Sequence, residues 1–352
     1  MKGPGLKDET RSFDYAGSLG WALRLFGPFL GLIGTVLLFA YLTRESGSFL
    51  TVYNWRTITV QTVIVAITAL GMTVIMIAGG IDLSVGSAVA LVCVASALAV
   101  RGETWHLGRW IIAIPPLPMS QALLVGVVIG GLCGLINGAL ISRLGVVPFI
   151  ITLGTLKGFR GLAKWLANST TVNVPQEAKS WWFRNLLATE PDPAWLIVAP
   201  GVWVVLGLSL LLAIVLRYTV FGRHVYAIGS NEAAARLCGL NVPLVKLAVY
   251  ALAGLLTGLA GVLQFSYLDA TGDPVTADGL ELQVIAAVVI GGASLSGGEG
   301  TVLGTLIGCL IMSVLNNGCV HAGISNASQD IIIGAIIVAA VTLDRYRRQF
   351  AS

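Results

Sequence analysis

Lys157, Arg160 and Lys164 fall at i, i+3 and i+7 within an otherwise apolar stretch, a spacing that sets three cations on one face of a helix. Cations so placed pair with carboxylates, line a wet cavity or meet a second surface, although Lys164 has the alternative of snorkelling outward. Two carboxylates lie at the edges of apolar runs. Asp82 follows Gly79-Gly80 and either caps the amides of the helix it begins, the stronger reading, or stands on a pathway. Glu281 opens a short apolar run, where it caps that run, meets a partner protein or pairs with the Lys157 to Lys164 face, in that order of preference.

Catalytic chemistry leaves no comparable trace. HExxH and GxSxG are absent, and the three histidines are scattered. Cys93, Cys133, Cys238, Cys309 and Cys319 form no CxxC pair and mostly sit in apolar runs, where cysteine is a small packing residue. No catalytic residue, metal site or bound cofactor is expected. The sequence has neither GxxxxGK[ST] nor any Gly-Lys pair, so it cannot cradle nucleotide phosphates in the P-loop way.

One polar stretch is patterned. In the loop 218–244, Asn231-Glu232-Ala233-Ala234-Ala235-Arg236-Leu237-Cys238-Gly239 reads as a short capped helix. Asn231 accepts from first-turn amides, Glu232 suits the positive helix end, the alanines propagate the turn, and Gly239 with Pro243 stops it. Isolated helices below about 12 residues are marginal in water. This one needs a surface to rest on, either its own bundle or another protein.

What must position these groups is a bundle in lipid. Asp, Glu, Lys and Arg make up only 11% of the chain, and hydrophobic residues 56%. Apolar runs near membrane-spanning length recur about ten times. They cover 25–42, 57–79, 82–100, 121–142, 146–166, 196–217, 245–268, 281–293, 301–320 and 327–343. The expected fold is an all-α polytopic membrane protein. The run 281–293 is too short to cross alone and reads as a discontinuous helix. The 43 glycines suit close helix packing in lipid.

Loop charge gives the orientation. With the amino terminus inside, inner segments hold twelve Lys and Arg, among them Arg143, Arg217, Arg223, Arg236 and Arg345, against six in outer loops. Residues 269–281 carry Asp269, Asp273, Asp278 and Glu281 with no basic residue, which suits an outer loop. Trp165, Trp181, Trp182 and Trp195 then form an outer aromatic belt, and both termini are cytoplasmic. The net charge of +4 is spread over inner loops and indicates no nucleic-acid partner. Segment 1–24 is read as a cytoplasmic amino-terminal stretch, 25–343 as one transmembrane domain and 344–352 as a cytoplasmic tail. A weak duplication pairs Asn137-Gly138 with Asn317-Gly318, five runs apart, as in inverted repeats. A rival match of 79–86 with 291–298 implies parallel repeats instead, and the first is preferred.

Taken in order, several long motifs resemble one family. They are Gly71-Met72-Thr73 through Gly80-Ile81-Asp82-Leu83-Ser84-Val85-Gly86-Ser87, the 231–239 loop, Glu281-Leu282 with Ile285-Ala286-Ala287-Val288-Val289, Gly291-Gly292-Ala293-Ser294-Leu295-Ser296-Gly297-Gly298, and Gly304-Thr305-Leu306-Ile307-Gly308 through Asn316-Asn317-Gly318. Over about residues 57–343 the chain resembles the sugar-type permease subunits of bacterial ATP-binding-cassette importers, the group that includes the ribose permease. That resemblance implies a multi-pass inner-membrane permease working with a second permease subunit, a cytoplasmic ATPase holding ATP and Mg, and a periplasmic sugar-binding protein. It assigns Asn231, Glu232, Ala233, Ala234, Arg236 and Gly239 to contact with the ATPase. Arg160 matches a basic position of the family, and Asp82, Lys157, Arg160, Glu281 and Asn317 are expected on the pathway or in structural roles beside it. The solute expected is a monosaccharide, a pentose such as ribose foremost. Gln283, where an acidic residue is common, and Leu280, where Tyr is frequent, depart from the family near the outer mouth and bear on the substrate. An ion-coupled secondary transporter of a small polar solute also has broken helices and intramembrane carboxylates, and stays open as the alternative.

Overall fold

The computed structural model describes residues 15–45, 47–107 and 110–349. The expectations for residues 1–14 and 350–352 lie outside them. Thirteen helices follow in order: α1 (Tyr15–Leu42), α2 (Val52–Ile77), α3 (Val85–Arg101), α4 (Met119–Leu144), α5 (Pro148–Leu166), α6 (Trp181–Asn185), α7 (Pro200–Tyr218), α8 (Val220–Ser230), α9 (Glu232–Leu237), α10 (Val242–Tyr267), α11 (Leu280–Ile290), α12 (Val302–His321) and α13 (Asn326–Gln349). Two antiparallel strand pairs amend the all-α expectation: β1 (Glu103–Leu107) with β2 (Trp110–Ile114), and β3 (Val172–Asn173) with β4 (Thr271–Gly272). Helix α1 starts at Tyr15, ten residues before the apolar run that marked it.

Among the described residues, α2, α4, α7, α10 and α12 are long and apolar enough to cross a membrane. Helix α5 has 19 residues but carries the three cations, and α3 and α11 are shorter apolar helices. Helix α2 is predominantly apolar and buried on every side from Thr62 to Ile77, as a helix at the centre of a bundle must be, while Gln61 just before that stretch is only partly covered. It packs on α7, α10, α11 and α12. Helices α4 and α7 keep Leu124, Leu132, Leu206 and Leu210 exposed, an outer face suited to lipid.

The most extensive helix contact joins α4 to α10. Gly126, Gly130, Gly134 and Gly138 recur every fourth residue on α4, and Gly254 and Gly258 face them from α10. A β-carbon on Gly254 would stand 2.5 Å from the Gly130 carbonyl oxygen, so the backbones touch directly.

Helices α3 and α11 do not begin at the ends of the bundle. Residues 78–84, after α2, are not helical, and the Ser84 hydroxyl meets Asn137, seven residues before the end of α4 and so about 10 Å in from it. Residues 268–279 run along α3, with Gly272 against Val94 and Ala97, and Ala277 against Gly86. The segment expected as an outer loop is thus packed against a helix along part of its length. With only 11 residues, α11 is about 16 Å long, and the chain must descend part of the way before the helix starts. Gly291–Gly300 form turns and do not extend it.

Packing partners recur in two sets. Helix α4 packs on α10 as α12 packs on α2; α3 touches α4, α5 and α10 as α11 touches α12, α13 and α2.

Candidate functional site

Asp82 braces the turn that carries α3. Its Oδ1 accepts the Ser84 amide at 2.8 Å and the Ser84 hydroxyl at 2.6 Å, while Asn137 Nδ2 donates to Ser84 Oγ at 2.8 Å and to Asp82 Oδ2 at 3.4 Å. The side chain is buried. The N-cap position of α3 belongs to Ser84, so Asp82 acts two residues earlier than a helix cap would. Glu281 approaches from the opposite element. Its Oε2 is buried against Gly86 at the start of α3 and makes no hydrogen bond among the described residues. The two sequence-marked carboxylates therefore stand at the starts of two helices that meet inside the bundle.

Of the three cations on α5, Arg160 is the one turned inward. Its Nη1 donates to the carbonyls of Thr276 at 2.7 Å and Pro274 at 3.1 Å, and its Nη2 lies 3.5 Å from Asp278. The acidic partner is thus Asp278 and not Glu281, because the descending loop passes α5 before it reaches α11. Lys157 and Lys164 are exposed. The loop is held from a second side by Asp269, which pairs with Lys179 at 2.8 Å and Arg184 at 3.2 Å. Asn317 lies away from these groups. It exchanges carboxamide hydrogen bonds of 2.9 and 3.0 Å with Asn54, tying α12 to the start of α2.

At the other end of the bundle the 231–239 segment is helical as its residues predict. Asn231 Oδ1 accepts from the Ala234 amide at 2.9 Å. Gly239 has φ +82°, and the bonds from Gly239 N to Arg236 O and from Leu240 N to Ala235 O close the helix in a Schellman motif. Glu232 pairs with Arg236 at 2.8 Å and, through its other oxygen, with Lys246 of α10 at 2.8 Å. The hydrogen bond from Lys246, more than any other contact, holds the Glu232 carboxyl below its ordinary range. Ala235 faces inward, whereas Ala233, Ala234 and Leu237, the last 89% exposed, form a small bare surface.

Sequence reasoning missed what lies under this surface. Helix α8 occupies 220–230, with Thr219 capping it through the Gly222 amide at 3.2 Å. Phe221, Val225 and Ile228 recur at helical spacing there, a signal that was legible. Tyr226 Oη donates to the Gly300 carbonyl at 2.8 Å, and the Gly298 amide donates to the Ile77 carbonyl at 2.9 Å. Gly229 is wedged between Ile77 and Gly298, leaving no room for a β-carbon. The end of α2, the turn after α11 and the helices of the 218–244 loop are therefore joined in one contact.

Long apolar helices, two helices that begin inside the bundle and a polar platform at one end define a multi-pass membrane protein built as a solute permease. Residues 54–341 match the family described as branched-chain amino acid transport system / permease component, and the chain belongs to that family. It is 36% identical over 323 residues to the ribose import permease protein RbsC of Escherichia coli K12, covering 90% of this chain and 93% of that one. It is 38% identical over 347 residues to RbsC of Bacillus subtilis 168, covering 98% and 99%. The L-arabinose ABC transporter permease protein AraH of Azospirillum brasilense is 35% identical over 314 residues, covering 89% and 86%. No solved structure matches the chain.

Proposed function

We propose that this chain is the permease subunit of an ATP-driven importer and forms, with a second permease subunit, the pathway for a monosaccharide, a pentose such as ribose foremost. The observation that carries this reading is the match, over nearly the whole length, to permeases named for ribose and L-arabinose import. ATP and Mg bind a separate cytoplasmic ATPase, in keeping with a sequence that lacks a P-loop. A periplasmic binding protein delivers the sugar at the opposite face. The chain sits in the bacterial inner membrane with the 218–244 loop and both termini in the cytoplasm, following the charge of its loops. It crosses about ten times, with α3 and α11 as half-crossings, and α2–α5 and α10–α13 are inverted repeats. The recurring packing partners support that pairing, and the Gly-rich matches at 79–86 and 291–298 do not fit it, since one precedes α3 and the other follows α11.

The bare face of α9, with Asn231, Glu232, Ala233, Ala234, Arg236 and Gly239, seats in the ATPase, and its displacement reaches α2 and α11 through Gly229, Ile77 and Gly298. Asp82 and Glu281 hold the inner ends of the two half-crossings, and Arg160 holds the loop between them.

Ion-coupled transport is the competing reading, favoured by the buried Asp82. Proteoliposomes containing the permease, its ATPase and its binding protein distinguish the two. Uptake of D-ribose, L-arabinose or D-xylose that requires ATP on the ATPase side and no ion gradient is expected; uptake driven by a proton or sodium gradient without ATP would overturn the proposal.

A further inference from the structure

Between α2, α11, α12 and α13 lies a cleft of about 440 Å³, within the range of roughly 300–1,000 Å³ found for small-molecule sites. Gln61, Gln283, Asn316, Asn317, Gln329 and Asp330 line it, backed by Val65 and Ile333. A second groove of about 190 Å³ shares Gln61, Val65 and Gln283 and continues past Gln264 and Asp278 towards the loop that Arg160 holds. Asn317 and Gln329 are engaged, with Asn54 and the Ile324 carbonyl. The side chains of Gln61, Gln283 and Asn316 have no hydrogen-bond partner among the described residues.

Three unpaired carboxamides on one cleft make a strong demand in a membrane protein. A polar group left unsatisfied in hydrocarbon costs several kcal/mol. The cleft therefore faces water or a polar occupant. Each carboxamide offers both donors and an acceptor, as a sugar hydroxyl does, and the valine and isoleucine behind them suit the C–H face of a sugar ring. Among the described residues no Lys or Arg lines the cleft and Asp330 does, so an anionic solute finds no counter-charge there.

Building on the monosaccharide-permease reading, we propose that this amide-lined cleft is the wall of the pathway that contacts the sugar, with Gln61, Gln283 and Asn316 exchanging hydrogen bonds with its hydroxyl groups. The residues come from positions far apart in the chain and join only where α11 starts inside the bundle.

The test uses the full assembly in proteoliposomes, in a Cys238→Ser background because Cys238 is exposed. Gln283→Cys and Asn316→Cys are expected to react with a small charged methanethiosulfonate, whereas Leu210→Cys on the outer face of α7 is not. Saturating D-ribose, L-arabinose or D-xylose, whichever the assembly transports, is expected to slow that reaction about fivefold or more, the scale of one or two hydrogen bonds. Gln283→Leu is expected to lower uptake about tenfold while the ATPase stays bound, and Gln283→Asn to recover part of it. Failure of both cysteines to react, absence of protection by the transported sugar, or full uptake by Gln283→Leu would overturn the assignment of the cleft alone. A wild-type assembly that takes up none of the three sugars would instead overturn the monosaccharide reading, and the cleft assignment with it.

Discussion

Lys246 Nζ and Glu232 Oε2 stand 2.8 Å apart and lock the short helix α9 to the start of α10. Helix α10 packs along α4 on a glycine seam and also touches α2 and α3. A six-residue helix that would not survive alone is thereby given both a floor and a lever. Its exposed apolar residues, Ala233, Ala234 and Leu237, point away from the bundle.

This pairing is sensitive to acid. The folded Glu232 carboxyl lies below its ordinary value of 4.5, so the pair's stabilisation is complete above that pH and is lost as pH falls through the lower, folded value. Hydrogen exchange of residues 232–237, corrected for the intrinsic rate, is expected to lose protection only below about pH 4.5. Glu232→Gln should show the weaker protection at every pH. Protection in wild type that is flat from pH 7 down to 3 would contradict the role given to the pair.

The glycine seam sets a packing contrast. Gly258→Val places branched carbons against the backbone of α4, where β-carbon contacts already fall at 2.8 Å, and should cost about 1–3 kcal/mol or prevent accumulation in the membrane. Gly158→Ala, in open space on α5, should be neutral or slightly stabilising. Thermal melting in detergent compares the two. Equal melting points would mean that the α4–α10 contact is not the one described.

Arg160→Leu removes two hydrogen bonds from a charged donor, each worth roughly 1.5–3 kcal/mol, and frees the 273–278 segment. Labelling of Val275→Cys should accelerate in that variant and uptake should fall, with membrane insertion unchanged. Lys157→Leu, which touches nothing comparable, should leave both near wild type. Normal uptake by a correctly inserted Arg160→Leu protein would show that the anchor is dispensable.

Sidedness is read best at residues that the fold leaves open. In the Cys238→Ser background, Leu237→Cys should label only from the cytoplasm and Val275→Cys only from outside, both being exposed. Labelling of both from one side would break the proposed number of crossings between them.

Much of the frame was legible in the sequence. Every apolar run coincides with a helix, because burial in lipid and in the bundle centre both demand continuous apolar stretches. Asn231 and Gly239 announced the ends of α9 because capping is local chemistry. The path of 268–279 was not legible, since an extended segment beside α3 has no period to detect. Arg160 was marked as intramembrane, but its partners are backbone carbonyls, which sequence does not distinguish. Gln61, Gln283 and Asn316 lie more than 30 residues from one another and share no local pattern, so only the meeting of α2, α11 and α12 brings them together.

The most direct measurement concerns the bare face of α9. Ala234→Trp should block a neighbour sterically, and Gly239→Val should strain a residue held at φ +82° by roughly 1–2 kcal/mol. Both variants are expected to insert in the membrane yet to lose co-purification of the ATPase and its substrate-stimulated ATP hydrolysis. Stoichiometric co-purification and full transport by Ala234→Trp would contradict the assignment of α9 as the contact through which ATP drives this permease.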